Sequence, residues 1–121
     1  MLYGSEDFSA VLENLRAAYP KCVISYFQSN SEEELIESLH NADLEGVEGI
    51  VLNPAAYTHT SIALADAVAA IDIPVVEVHI SNVYARESFR KDSYISKYAR
   101  GIIAGFGVEG YRLAIDYFLR S

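Results

Sequence analysis

Apolar positions along this chain recur at two spacings that alternate from segment to segment. A helical spacing of three or four residues appears first in Phe8, Leu12, Leu15 and Tyr19. Short, nearly continuous apolar runs separate the helical segments and predict strands. The predicted elements are helices over 5–19, 31–39, 61–70 and 108–119, strands over 22–27, 47–52, 74–79 and 101–104, and a short helical segment within 82–90. Strands separated by helices predict β-α-β units, an α/β fold and a mostly parallel sheet.

Helix boundary residues support these predictions. Ser5 is suited to cap the first helix, and Pro20 ends it. Ser31, followed three residues later by Glu34, has the spacing of a capping box at the start of the second helix.

Length and charge narrow the class of protein. With 121 residues and no linker or repeat, the chain is predicted to form one domain over 1–121. The net charge is −8, and no basic block interrupts it, so we expect no nucleic-acid partner and no anionic membrane surface. No apolar run approaches the roughly 20 residues of a membrane span.

The cysteine content indicates the cellular compartment in which the protein is expected. Cys22 is the single cysteine, so no internal disulfide can form, and the chain carries no N-x-[ST] glycosylation sequence. Together with the lack of a signal-peptide pattern at its start, this predicts a cytoplasmic protein.

Polar and ionisable residues lie at the ends of two consecutive predicted strands, over 47–52 and 74–79, or shortly after them. In an open α/β sheet, functional groups gather beyond the carboxyl ends of the strands. The residues that these two strands bring to that edge are Asn53, His59, Glu77, His79, Ser81, Arg86 and Arg90. We therefore predict a functional site there.

Within the strand over 74–79, alternation places Glu77 and His79 on the same face. A carboxylate there can set the tautomer of the histidine, which suits a general acid at neutral pH. The alternative is a half-buried strand with a solvent-facing histidine. Because an unpartnered Glu77 among valines would be costly to bury, we favour a functional pair.

Arg86 and Arg90 lie four residues apart, on one face of a helical turn. Two guanidiniums on an acidic protein are typical of a clamp for a carboxylate ligand. The alternative is a solvated surface neutralised by Glu87 and Asp92.

Of three further residues, two allow both a functional and a surface interpretation, and one is not assigned a function. His59, at the predicted start of a helix, is equally compatible with a site residue and a surface residue, whereas His40 is predicted to be solvated. Asp66, among alanines in the helix over 61–70, suits a subunit contact or an exposed position.

Some motifs do not support their usual functions. Residues 105–110 match G-x-G-x-x-G, but dinucleotide binding needs a following strand with an acidic residue, so these glycines are predicted to serve turns and packing. Three scattered histidines and one cysteine have no metal-ligand spacing. Without a G-x-S-x-G sequence, Ser81 is not expected to be a nucleophile.

Several stretches resemble type II 3-dehydroquinate dehydratase, a small flavodoxin-like enzyme. The resemblance lies in Y-G at 3–4, F-Q-S-N at 27–30, L-N-P-x-A-Y-T-H-T-S at 52–61, V-E-V-H-I-S-N at 76–82, A-R-E-S-F-R at 85–90, S-Y-I-S at 93–96 and the glycine turn with Tyr111. It implies a three-layer αβα sandwich that dehydrates 3-dehydroquinate to 3-dehydroshikimate without a metal or cofactor.

The resemblance also implies residue roles. Tyr3 would be the base, assisted by Arg86, and His79 the acid, supported by Glu77. The substrate would be held by Asn53, His59, Ile80, Ser81 and Arg90. Asp66 would reach the site of a neighbouring subunit in a homo-oligomer of trimers assembled into a dodecamer.

The chain departs from that family pattern at its start and at Ala55, where the family usually has glycine. The family begins with a strand leading to N-G-P-N and a lid carrying R-E-P, whereas Met1 and Leu2 alone precede Tyr3 here. We therefore expect a sheet without the family's first strand, which would lie between the strands ending near Phe27 and Leu52. The alternative function is a catalytically inactive oligomeric binding or scaffold protein on the same fold.

Overall fold

The computed structural model describes residues 5–54, 61–82 and 95–120. For residues 5–7 it describes the backbone alone. The elements are α1 Ser5–Ala18, α2 Glu32–Glu45, β1 Ile50–Leu52, α3 Ile62–Ala70, β2 Val75–His79, β3 Gly101–Ala104 and α4 Glu109–Arg120. The helical segment predicted within 82–90 lies outside the described residues, apart from Asn82.

The three strands form one parallel sheet in the order β1-β2-β3. Leu52, the last residue of β1, is paired with Glu77, and His79 at the end of β2 is paired with Ala104. The carboxyl ends of all three strands therefore meet at one edge, as the alternating sequence pattern predicts.

Apolar clusters cover both faces of the sheet. Val75 belongs to a buried cluster with Leu35 and Leu39 of α2 and Leu64 and Val68 of α3. Val76 and Val78 point to the opposite face, because side chains alternate along a strand, and join a second cluster. That cluster includes Phe8 and Leu15 of α1 and Tyr111 and Ala114 of α4. The predicted α/β class, with helices on both faces of a parallel sheet, is confirmed.

The second helix has a cap at each end, although the predicted capping box forms only in part, because the amide of Ser31 donates to Oγ of Ser29 rather than to Glu34. Ser31 is the N-cap, and its hydroxyl accepts a hydrogen bond from the amide of Glu34 at 3.2 Å. At the other end Gly46 adopts φ +76°, and the amides of Gly46 and Val47 bond to the carbonyls of Asp43 and Ala42. This is a Schellman motif. It draws Val47 into the helix terminus, so β1 begins at Ile50 rather than at residue 47.

The predicted strand over 22–27 is wrong: this segment joins no ladder within the described residues. Its side chains nevertheless pack. Ile24 contacts the second cluster, which contains residues of α1 and α4, and Tyr26 stacks on Phe8 with ring centroids 4.2 Å apart. The Arg16 guanidinium donates to the carbonyl of Ile24 at 2.8 Å, where a neighbouring strand would otherwise donate. A strand needs a partner backbone, and within the described sheet β1 pairs with β2 alone.

No helix within the described ranges is long and apolar enough to cross a membrane.

Candidate active site

Glu77 and His79 form a buried pair at the carboxyl end of β2. Their side chains lie on the same face of the strand, as its alternation predicts, and Oε2 of Glu77 is hydrogen bonded to Nε2 of His79. Glu77 is 0% exposed and His79 is 5% exposed. Because both groups are removed from water, each needs a polar partner from the protein, and the pair supplies it.

The second oxygen of Glu77 is also engaged. The hydroxyl of Ser96, which precedes β3, donates to Oε1 of Glu77 at 2.9 Å. An ionised carboxylate accepts hydrogen bonds and donates none. With Ser96 on one oxygen and His79 on the other, Glu77 is satisfied without solvent, and its carboxylate plane is fixed.

Asn53 follows β1 directly and lies on the neighbouring strand end. Its amide nitrogen donates to the hydroxyl of Tyr111 at 3.1 Å. Tyr111 comes from α4, is buried, and packs edge-on against Phe8 with ring centroids 5.4 Å apart. The half-buried Asn53 is therefore oriented by a hydroxyl group from the α4 side of the sheet.

The segment after β2 is held by a glycine turn after β3. The amide of Gly105 donates to the carbonyl of His79 at 3.2 Å, and that of Gly107 donates to the carbonyl of Ile80 at 3.0 Å. Gly105 and Gly107 adopt φ +90° and +60°, conformations that residues with a Cβ rarely adopt. The prediction that residues 105–110 serve turns and packing is confirmed.

The remaining predicted site residues are distributed as follows. Ile80 is half-buried and Ser81 is exposed, both beyond the end of β2. Asp66 is exposed on α3, on the opposite side from the buried Leu64 and Val68. Tyr3, His59, Arg86 and Arg90 lie outside the described residues, as does Ala55.

Two supporting residues, Ser96 and Tyr111, were not predicted as part of the site. Both occur in the stretches that carry the family resemblance, but neither comes directly after β1 or β2 in the sequence. Their distance along the chain is large: Ser96 lies 19 residues from Glu77, and Tyr111 lies 58 residues from Asn53. Only a knowledge of the packing could place them here.

Within the described residues, no group of three or more His, Cys, Asp or Glu side chains is arranged to hold a metal ion. The site consists of a buried carboxylate–imidazole pair, an oriented amide and a braced backbone segment. Such groups can donate and accept protons and bind hydroxyl-bearing ligands.

Comparison with known proteins agrees with this arrangement. A family model described as "Dehydroquinase class II" matches residues 1–119. This chain belongs to the class II dehydroquinase family. The resemblance inferred from the sequence motifs is thereby confirmed, and with it the expectation of an enzyme of this family.

Individual relatives support the assignment to the dehydroquinase family. A 3-dehydroquinate dehydratase of Thioalkalivibrio sulfidiphilus is 50% identical over 117 residues, which are 95% of this chain and 80% of the relative. The crystal structure of the type II dehydroquinase from Butyrivibrio crossotus has a TM-score of 0.87 and 37% identity. That match covers 97% of this chain and 81% of the other. The corresponding enzyme from Propionibacterium acnes has a TM-score of 0.85 at 37% identity, over 97% of this chain and 85% of that one.

Proposed function

We propose that this chain dehydrates 3-dehydroquinate to 3-dehydroshikimate, with His79 as the general acid. The observation that carries the proposal is the buried Glu77–His79 pair at the carboxyl edge of the sheet, in a member of the dehydroquinase family. A histidine with Nε2 fixed on a carboxylate has a defined tautomer and ring orientation. Because Nε2–H is bonded to Glu77, the proton for the leaving hydroxyl would come from Nδ1 of the imidazolium, the form that carries a proton on both nitrogens.

The proposed reaction is a trans elimination of water. Tyr3, as a tyrosinate, removes a proton from the carbon beside the ketone, and the electron pair of that C–H bond forms an enolate. The enolate then re-forms the ketone as the carbon–oxygen bond breaks. The departing hydroxyl takes a proton from His79 and leaves as water, giving a conjugated enone. Protons and electrons balance without an external oxidant or a metal.

The other site residues are proposed to bind the substrate. Asn53, held by Tyr111, and the backbone after β2 at Ile80 and Ser81 would contact substrate hydroxyl and carboxylate groups. His59 and Arg90 would complete this contact, Arg90 as a partner for the carboxylate. Arg86 would favour the ionised form of Tyr3. These assignments rest on the family resemblance, together with the positions of Asn53, Ile80 and Ser81 at the site edge.

We also propose that the enzyme acts as a homo-oligomer in the cytoplasm, as trimers assembled into a dodecamer, and as a single domain over 1–121. The exposed position of Asp66 on α3 supports a contact with another subunit, because its side chain is available to a neighbour. Its proposed role is to reach the site of that neighbour.

Turnover of 3-dehydroquinate, followed by the ultraviolet absorbance of the conjugated product, tests the function. His79→Gln should lower kcat by about 100-fold or more, the range that general acid–base groups contribute. Glutamine keeps an N–H donor for Glu77 but cannot release a proton to the leaving hydroxyl. The retained N–H donor preserves stability, because removing the partner of a buried charge altogether costs about 3 to 5 kcal/mol.

His40→Ala is the matched control, because His40 is an exposed histidine on α2. It should leave kcat unchanged, and circular dichroism should show that both variants are folded. Full activity in a folded His79→Gln variant would remove His79 from the role of acid. A folded, unmodified chain that forms no conjugated product would overturn the proposed function.

A further inference from the structure

We propose that Ser96 is a positioning residue for this reaction, which holds the Glu77 carboxylate in the orientation that fixes the His79 ring. The inference rests on the proposed function, since it assigns a part in catalysis to a residue that touches Glu77 and is not among the proposed substrate contacts. It starts from one contact, the 2.9 Å hydrogen bond between Oγ of Ser96 and Oε1 of Glu77.

The geometry of the carboxylate gives this bond its importance. Oε2 is bonded to Nε2 of His79, and Oε1 to Ser96. Rotation of the carboxylate plane would break one or both bonds. With both oxygens held, the direction in which Oε2 faces the imidazole is fixed, and so is the direction of Nδ1 on the other side of the ring.

Because Glu77 is buried, loss of the Ser96 hydroxyl carries a free-energy cost that water does not remove. Glu77 is 0% exposed, and a buried acceptor that loses its donor keeps the full penalty of desolvation. The carboxylate would respond by rotating toward another donor. Such a movement displaces the partner of His79, and displacements of about 1 Å at a reacting group slow catalysis.

Ser96 is itself carried on an anchored turn. The adjacent Ile95 is 0% exposed and packs in the cluster with Leu52 and Val75. The amide of Tyr98 donates to the carbonyl of Ile95 at 3.0 Å, and the amide of Arg100 donates to the carbonyl of Val75 at 2.7 Å. The first bond closes the turn, and the second fixes it to β2, the strand that carries Glu77. Ser96 is therefore built to hold a definite position relative to the carboxylate.

A purely structural role would give a different result. If Ser96 did no more than satisfy a buried oxygen, its removal would lower stability and leave the turnover of the folded enzyme unchanged. If it positions Glu77, turnover changes while substrate affinity does not, because Ser96 is not among the proposed substrate contacts. The split between kcat and KM separates the two roles.

The experiment compares Ser96→Ala and Ser96→Thr with the unmodified chain. Ser96→Ala should lower kcat by about tenfold, the lower end of the range known for the hydrogen-bond partners of metal-binding histidines, with KM unchanged within about twofold. Ser96→Thr keeps the hydroxyl and should restore kcat. Ser38→Ala is the matched control, because the partly buried hydroxyl of Ser38 donates to the carbonyl of Leu35 at 2.8 Å within α2.

The nitrogen NMR signals of His79 give a readout independent of turnover. In the absence of substrate, Ser96→Ala should shift the Nε2 signal of His79, assigned through His79→Gln, and leave that of His40 in place. An unshifted signal, or an undiminished kcat in Ser96→Ala while the unmodified chain is active, would overturn the inference. So would an equal loss of kcat in Ser38→Ala. Lack of turnover by the unmodified chain would instead count against the proposed function.

Discussion

At the scale of single residues, the burial of an ionisable group goes together with the polar partners that the fold provides for it. Glu77 is fully buried with two partners, whereas the exposed Glu109–Arg112 pair, with 3.9 Å between the charged atoms, is solvated. Exposed pairs of this kind contribute little to stability. Tyr19 lies between these extremes. It is half-buried after the end of α1, and its hydroxyl donates to the carboxylate of Asp116 in α4.

Tyr19→Phe should lower the free energy of unfolding at pH 7 by about 0.5 to 1.5 kcal/mol, the usual contribution of one hydrogen bond. Burial of the side chain and the hydrogen bond to Asp116 raise the pKa of the Tyr19 phenol above its usual value of 10.0. A raised pKa stabilises the fold below pH 10, and this stabilisation is lost as the pH rises through the pKa of the folded state.

Urea unfolding from pH 7 to 11 measures this effect. The difference between Tyr19→Phe and the unmodified chain should be greatest at neutral pH and shrink as the pH rises above 10. Tyr98→Phe, at an exposed tyrosine, should show no comparable difference. A Tyr19 effect that stayed constant across this range would contradict the proposed linkage.

At the scale of secondary-structure elements, the turn from β3 to α4 braces the site. Gly105 and Gly107 donate their amides to the carbonyls of His79 and Ile80, just where β2 ends. Gly110, at the start of α4, allows close approach to β2, since a Cβ there would meet Cγ1 of Val78 at 3.0 Å. The same turn thus sets the position of the helix and of the segment that follows His79.

Gly105→Ala should destabilise the fold by about 1 to 3 kcal/mol, the cost of holding a non-glycine residue in a sparsely populated backbone conformation. The backbone there has φ +90°, and a Cβ would come within 3.2 Å of Cβ of Asn82. Gly101→Ala in β3 is the control, because a Cβ at that position meets nothing within 4 Å.

Urea unfolding compares the two variants. A stability of Gly105→Ala equal to that of Gly101→Ala would show that the turn relaxes without strain.

At the scale of the whole molecule, the sheet divides the chain into two apolar clusters and carries the site at one edge. The net charge is −8, and Asp66 is one of the exposed acidic residues. The proposed assembly turns part of that surface into subunit contacts. A site that borrows Asp66 from a neighbour would be incomplete in a single chain.

Light scattering should give a particle mass of twelve times the 13.4 kDa of one chain. Asp66→Ala should keep that mass and lower kcat/KM by about tenfold, because loss of one hydrogen bond of about 1.4 kcal/mol has that effect on a rate. Glu37→Ala, at an exposed position on α2, is the control and should change neither quantity. A monomer with full activity would contradict both the assembly and the role of Asp66.

The sequence by itself determined the features that depend on neighbours along the chain. Helical spacing and caps such as Ser31 located the helices, because these signals act within one or two turns. The two-residue period of a strand placed Glu77 and His79 together. Family motifs identified the enzyme family, which the comparisons confirm.

Only the tertiary structure decided what depends on partners distant in sequence. Residues 22–27 have the composition of a strand, yet a strand exists only where another backbone pairs with it, and here Arg16 caps the carbonyl of Ile24 instead. In the same way, nothing local to Ser96 or Tyr111 marks them as supports of Glu77 and Asn53. Hydrogen bonds across 19 and 58 residues follow from how the elements pack, and periodicity along a chain does not encode that packing.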